Sequence, residues 1–147
     1  MRILGISSGG GHLTELLMIV QHLPPLTAIV TETNAAERNQ TSEFPLRPIR
    51  DPHRSPIAFA LNGIEAMKCL YRHRPDVVIS TGAGITVPLF IMAWLLRKNC
   101  IYVETGARIT TPSFTGRLLY PIASLFIIQS SSLQKYYKKA IIASILQ

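Results

Sequence analysis

Three times along this chain a short apolar run, without polar alternation, ends in a cluster of glycine and hydroxyl residues. Arg2 to Ile6 runs into Ser7-Ser8-Gly9-Gly10-Gly11, Asp76 to Ser80 into Thr81-Gly82-Ala83-Gly84, and Cys100 to Glu104 into Thr105-Gly106. Strands covered on both faces carry such runs, because neither face has to meet water. Strands of this kind that alternate with helical patterns predict a parallel sheet between two helix layers.

The remaining segments fit that architecture. Leu26 to Thr31 and Leu125 to Gln129 read as two further strands. His12 to Leu23 has apolar residues at 13, 16, 17, 20 and 23, a helical spacing that Pro24-Pro25 stops. Ala58 to Arg74, Ile85 to Lys98 and Leu118 to Ala123 predict helices, and Ser130-Ser131-Ser132 offers N-caps for a last helix through Lys139. Asn34 to Pro56 is polar, with prolines at 45, 48, 52 and 56. It reads as a long basic loop bearing Arg47, Arg50, His53 and Arg54, with a short strand within Phe44 to Ile49. The expected fold class is α/β, a Rossmann-like parallel sheet with helices on both faces. With 147 residues the chain is expected to form a single domain, residues 1–147.

Composition narrows the function. Apolar residues make up 48% of the chain and charged ones 16%, which excludes disorder. Lys and Arg number 15 against 8 Asp and Glu, a formal charge of +7 that points to anionic partners. Phosphate esters and acidic lipid head groups fit. Nucleic acid is not expected, since no basic-aromatic module accompanies the charge. The longest apolar stretch, Ala83 to Leu96, is shorter than the ~20 residues a bilayer-spanning helix needs. Cys69 and Cys100 have neither metal-ligand nor redox spacing and read as buried thiols, so neither metal nor other cofactor is expected.

The glycine loops carry the candidate chemistry. Ser8, Gly9, Gly10, Gly11 and Thr14 surround the start of the first helix, where backbone N–H groups can meet an anion. No Gly-Lys-Ser/Thr follows, so this is not a P-loop. As a dinucleotide fingerprint it lacks the third glycine, although Glu32 at the end of the second strand stands where a ribose would bind. His12 opens the helix as a candidate base, and Glu15 three residues on reads as a capping partner. Thr81, Gly82 and Gly84 form a second such loop. Glu104, at the end of a third strand, is placed to orient a sugar hydroxyl or to pair with Arg108. Arg108, Gly116 and Arg117 complete the phosphate-facing set. The apolar segment from Ile85 to Lys98 suits burial against a partner or insertion at a membrane interface. In the second case Phe90 and Trp94 would enter, with Arg97 and Lys98 at head-group level.

In order, SSGGGHLTELL, DVVISTGAGITVPLF and IYVETGARITTPSFTGRLLYPIASLFIIQ resemble one family along most of the chain. It is the family of small membrane-associated subunits of the two-component UDP-N-acetylglucosamine transferase of dolichol-linked oligosaccharide assembly. Its bacterial counterparts act in capsule and exopolysaccharide synthesis. The third motif, with Glu104, Arg108, Gly116, Tyr120, Pro121 and Gln129 in register, is the specific part. Ser130 stands where the family commonly has Trp, and residues 140–147 lack its usual glycine.

The resemblance implies the N-terminal, acceptor-side half of a GT-B glycosyltransferase split into two chains. It implies a peripheral place on the cytoplasmic membrane face, a separate donor-binding chain that brings the UDP-sugar, and a lipid-pyrophosphate-linked saccharide as acceptor. His12 and Glu104 would be the catalytic residues. A chain that opens at its first strand is expected to match the bacterial members, which lack an N-terminal membrane helix. Two rival readings stand beside this one. A small nucleotide-binding oxidoreductase is opposed by the missing glycine and the absence of a Tyr-x-x-x-Lys pair. A non-catalytic membrane adaptor would need Ile85 to Lys98 but neither His12 nor Glu104.

Overall fold

The computed structural model describes residues 1–38, 44–49 and 56–144. In chain order the elements are β1 (Ile3–Ser7), α1 (Gly11–Val20), β2 (Ala28–Glu32), α2 (Thr33–Arg38), β3 (Leu46–Ile49), α3 (Pro56–His73), β4 (Val77–Gly82), α4 (Thr86–Leu95), β5 (Asn99–Val103), α5 (Phe114–Leu119), β6 (Leu125–Ile128) and β7 (Ile141–Ile142). Among the described residues the strands form one sheet in the order β3-β2-β1-β4-β5-β6-β7, and every neighbouring pair is parallel.

The order explains the layers. From β1 the chain moves outward one way through β2 to β3, then crosses back and moves the other way from β4 to β7. Right-handed crossovers therefore put α1 on one face and α3, α4 and α5 on the other. Side-chain alternation agrees. Ile3, Ile29 and Ile79 pack with Leu13, Leu16 and Val20 of α1. Leu4, Val30 and Val78 point the opposite way, into a core with Ala66, Leu70, Leu89, Phe90 and Leu119. Under the β5–β6–β7 side, Phe126 stacks on Tyr102 at 5.0 Å and meets Tyr137 at 4.5 Å.

Several expectations need correction. The segment from Asn34 onward is not all loop: α2 begins at Thr33, and its Ala35 lies against Gly9, where a Cβ would stand 2.6 Å from the Ala35 methyl. The strand expected within Phe44 to Ile49 is β3, paired with β2. Arg50, His53 and Arg54 lie outside the described residues. The last helix, expected from Ser130 to Lys139, does not form. A 3-10 turn over Ser131–Leu133 takes its place, and the Gln134 amide nitrogen donates to the carbonyls of Tyr137, Lys138 and Ala140. That side chain satisfies the backbone that a helix would have satisfied, which frees Tyr137 to enter the core. Among the described residues no helix is long and apolar enough to cross a membrane.

Candidate active site

Open parallel sheets bind ligands at the carboxyl ends of their strands, where the strand order reverses. Here that point lies between β1 and β4. The loop after β1 and the loop after β4 meet there through His12 and Thr81. His12 Nδ1 is 2.9 Å from the Thr81 carbonyl oxygen, and the Thr81 hydroxyl donates to the His12 carbonyl at 2.7 Å. A carbonyl can only accept, so Nδ1 carries a proton, and in the neutral ring the lone pair is then on Nε2. The ring is half-buried and oriented from behind.

Gly82 makes this approach feasible. Its φ is +112°, which side-chain-bearing residues rarely adopt, and a Cβ would stand 2.8 Å from the Tyr102 hydroxyl and 3.5 Å from the His12 ring. Ala83 follows at φ +76°, a strained value held by the sharp strand-to-helix turn. Gly84 is open. The Thr81 side chain is fully buried, so it positions His12 and is not available to a ligand.

The glycines of the first loop divide their work. The Gly9 N–H donates to Glu32 Oε2 at 2.5 Å, so this N–H is not free for a phosphate. Gly10 (φ +71°) and Gly11 have nothing within 4 Å of a would-be Cβ. They open α1, whose N-terminus has no side-chain cap, so its first N–H groups lack intrahelical acceptors and can serve an anion. Ser8 is half-buried beside them, and the Thr14 hydroxyl donates to the Gly10 carbonyl at 3.2 Å.

Glu104 departs most from expectation. It is fully buried, with no ion pair to Arg108 among the described residues. Its Oε2 accepts from the Tyr137 hydroxyl at 2.9 Å and from the Ser113 N–H at 3.2 Å. Burial, then the adjoining carboxylate, pushes the Tyr137 phenol far above its usual range, so it stays a donor. Gly116 lies directly on this carboxylate: a Cβ there would collide with Oε2 and stand 2.7 Å from the Tyr137 hydroxyl. Glu104 and Gly116 thus pin the β5–α5 loop to the C-terminal segment. Arg117 extends over the Tyr136 ring at 5.8 Å, while Arg108 is exposed on the loop after β5.

Sequence reasoning missed Glu15 as a site residue. Its Oε1 accepts from the Gly106 N–H at 2.8 Å and the Thr105 hydroxyl at 3.1 Å, which ties the β5–α5 loop to α1. Gln129 holds the same loop from the other side by donating to the Glu104 carbonyl at 3.1 Å. The available signal was the three-residue step from His12, which puts both side chains on one face of α1. At the other end of α4, Trp94 is 47% exposed and Arg97 is exposed, whereas Lys98 is half-buried. Phe90, expected to enter a membrane, is fully buried edge-on to Tyr102 at 6.1 Å.

Comparison with known proteins agrees with this architecture. The profile of the family described as oligosaccharide biosynthesis protein Alg14 like matches residues 46–146. The chain is 25% identical to the human UDP-N-acetylglucosamine transferase subunit ALG14 over 96% of its own length and 81% of that protein. To the Candida albicans subunit of the same name it is 36% identical, over 48% of this chain and 35% of that one. Among solved structures, Acinetobacter baumannii MurG superposes with a TM-score of 0.78 at 16% identity, over 97% of this chain but 43% of its own. The Methanocaldococcus jannaschii UDP-GlcNAc 2-epimerase gives 0.74 at 16% identity, over 97% and 45%. The fold is thus that of about half of each of these longer proteins, and the profile match covers more than half of the chain. This chain belongs to the Alg14-like family of oligosaccharide biosynthesis proteins.

Proposed function

We propose that this chain is the acceptor-side subunit of a two-component glycosyltransferase that moves N-acetylglucosamine from its UDP donor to a lipid-pyrophosphate-linked saccharide. The observation that carries the reading is the His12 imidazole, held at the sheet's switch point by its Nδ1 contact with the Thr81 carbonyl, which in the neutral ring leaves Nε2 as the acceptor. In that role Nε2 accepts the proton of the acceptor hydroxyl while the hydroxyl oxygen bonds to the sugar's anomeric carbon. The UDP leaves with the electrons of the broken glycosyl–phosphate bond. The N–H groups of Gly10 and Gly11 then hold acceptor phosphate, with Arg108 as a further cation.

A separate chain supplies the donor site. Family membership and a fold matching about half of MurG support this division. The acceptor is a membrane lipid, so the subunit works at a membrane surface, on the cytoplasmic side. Its α3–α4–α5 layer suits that place, because Ile57, Ile64, Trp94 and Phe114 are exposed on three neighbouring helices. Capsule or exopolysaccharide synthesis, as well as lipid-linked oligosaccharide assembly, provides acceptors of this chemistry.

The test is to purify the tagged chain from detergent-solubilised membranes of its own host and assay what accompanies it. The expected result is a stoichiometric partner. Together, and not separately, the two transfer N-acetylglucosamine from UDP-N-acetylglucosamine to a lipid-pyrophosphate saccharide. Recovery of the chain alone from the soluble fraction, or an active partner that needs no second subunit, contradicts the proposal.

A further inference from the structure

A basic groove lies at the opposite margin of the sheet from β7, between the edge strand β3 and α3. A groove of about 420 Å³ there is lined by Arg47 from β3 and by Lys68, Arg72 and His73 from α3, with one carboxylate, Glu65. Among the described residues none of these basic groups is in an ion pair. They also sense one another. His73 is held below its usual value by burial and then by the Arg47 and Arg72 charges. Those two guanidiniums likewise act on Cys69 at the groove floor. Cations gathered from two elements, with so little negative charge among them, match a ligand that brings its own.

The surroundings say which ligand. Along α3 the residues at 57, 61, 64, 68, 71 and 72 share the outward face, by their three- and four-residue steps. The first part of that stripe is apolar: Ile57 is 74% exposed and Ile64 53%. Lys68 and Arg72 continue it, beside Tyr71. Apolar side chains leading into paired cations reproduce the profile of a membrane interface, acyl region first and phosphates next. A soluble phosphate ester would have no use for the apolar half, and α3's last turn offers a carboxyl-end dipole that itself repels anions, so the side chains must supply the attraction.

We propose that the groove formed by Arg47, Lys68, Arg72 and His73 binds the phosphate head group of an anionic phospholipid, separately from the acceptor site at the α1 glycine loop. The inference rests on the membrane reading given above. Two guanidiniums reach the phosphate oxygens as forked donors, Lys68 adds charge from the outward side, and the α3 apolar stripe enters the acyl boundary.

Co-sedimentation of the full chain with vesicles of phosphatidylcholine, with and without phosphatidic acid, tests it. Three variants accompany the wild type: Arg47→Gln/Arg72→Gln, a charge-matched control Lys135→Gln/Lys138→Gln on the far margin, and Leu61→Ser/Ile64→Ser. Matching unfolding midpoints establish that each is folded. One cation at an anionic surface is worth about fivefold in partitioning. The groove variant should therefore lose about twentyfold or more on acidic vesicles, and the control less than about threefold. Equal losses in the two charge variants would mean diffuse attraction without a site, and would overturn the proposal.

The serine variant isolates the membrane reading. If it binds as the wild type does while the groove variant still fails, apolar insertion is wrong and the head-group site stands. Glycerol 3-phosphate, followed by NMR of the His73 ring, separates the two phosphate sources. A shift in wild type, absent in Arg47→Gln/Arg72→Gln, together with no vesicle binding, would assign the groove to a soluble ester and overturn the lipid. No vesicle binding and no shift would overturn both.

Discussion

Removing a single hydroxyl, in Tyr137→Phe, should cost this fold about 2–3 kcal/mol, the scale of a buried hydrogen bond to a charged group. The ring stays, so its packing on Phe126 and Tyr120, with centroids 4.5 and 5.0 Å away, is kept and no cavity opens. What goes is the 2.9 Å bond to Glu104 Oε2. Glu104 is fully buried, and its other oxygen, Oε1, has no hydrogen-bond partner among the described residues. The carboxylate would be left with the Ser113 N–H at 3.2 Å. Losing one donor to a buried carboxylate exposes part of its desolvation cost, which places the loss in the upper part of the range for a single hydrogen bond. For a chain of this length, 2–3 kcal/mol corresponds to a fall in Tm of roughly 6–9 °C. Urea unfolding followed by circular dichroism measures the loss directly. Tyr120→Phe serves as the comparison, because that hydroxyl accepts from the exposed Lys139 N–H at 2.8 Å, and its loss should cost under about 1 kcal/mol. If the two variants are equally mild, Glu104 does not depend on Tyr137, and the latch between the β5–α5 loop and the C-terminal segment is not a stabilising feature.

Three further outcomes follow from the same geometry. Gly82→Ala puts a methyl group at φ +112° beside the Tyr102 hydroxyl and the His12 ring; it should cost about 1–3 kcal/mol in unfolding experiments and lower turnover of the assembled pair as His12 shifts. His73 has a folded pKa below its unfolded value, because of burial and then the Arg47 and Arg72 charges. The unfolded chain therefore binds the extra proton first, so this contribution to stability is complete above about pH 6.5 and fades as pH falls through the folded value. His73→Gln should flatten the acid side of a plot of urea midpoint against pH, and an unchanged slope would refute the assignment. Burial pushes the Cys69 and Cys100 thiols up to about 11. Both should be alkylated at neutral pH more than about a hundredfold more slowly than a free thiol, as read by mass spectrometry over time.

Much of this architecture is legible in the sequence because it is written locally. The apolar runs of β1, β4 and β5 and the glycines after β1 and β4 need no distant partner to be read. α2 escaped because a six-residue helix with a polar sequence, followed by prolines, looks like loop. The segment after Ser130 showed the opposite failure. Its caps and spacing favour a helix, but Gln134 binds three carbonyls and Tyr137 is drawn to a carboxylate 33 residues earlier. The same long-range bond ties Glu104 to the interior, and Gly116 covers it for a reason visible only in three dimensions. Phe90 was misread because a helix apolar on all sides does not reveal which side meets the sheet. His12 was legible from its place at the loop, but its tautomer depends on the carbonyl of Thr81, 69 residues away.

The central claim is that His12 acts as a base in an assembled transferase. The most direct measurement is turnover by the reconstituted pair carrying His12→Ala, with pair formation followed in parallel by size-exclusion chromatography. Loss of a positioned general base predicts a fall in turnover of about 10²–10⁴-fold with the pair intact. Turnover within a few-fold of wild type, in an intact pair, would contradict the account and leave the chain as an adaptor.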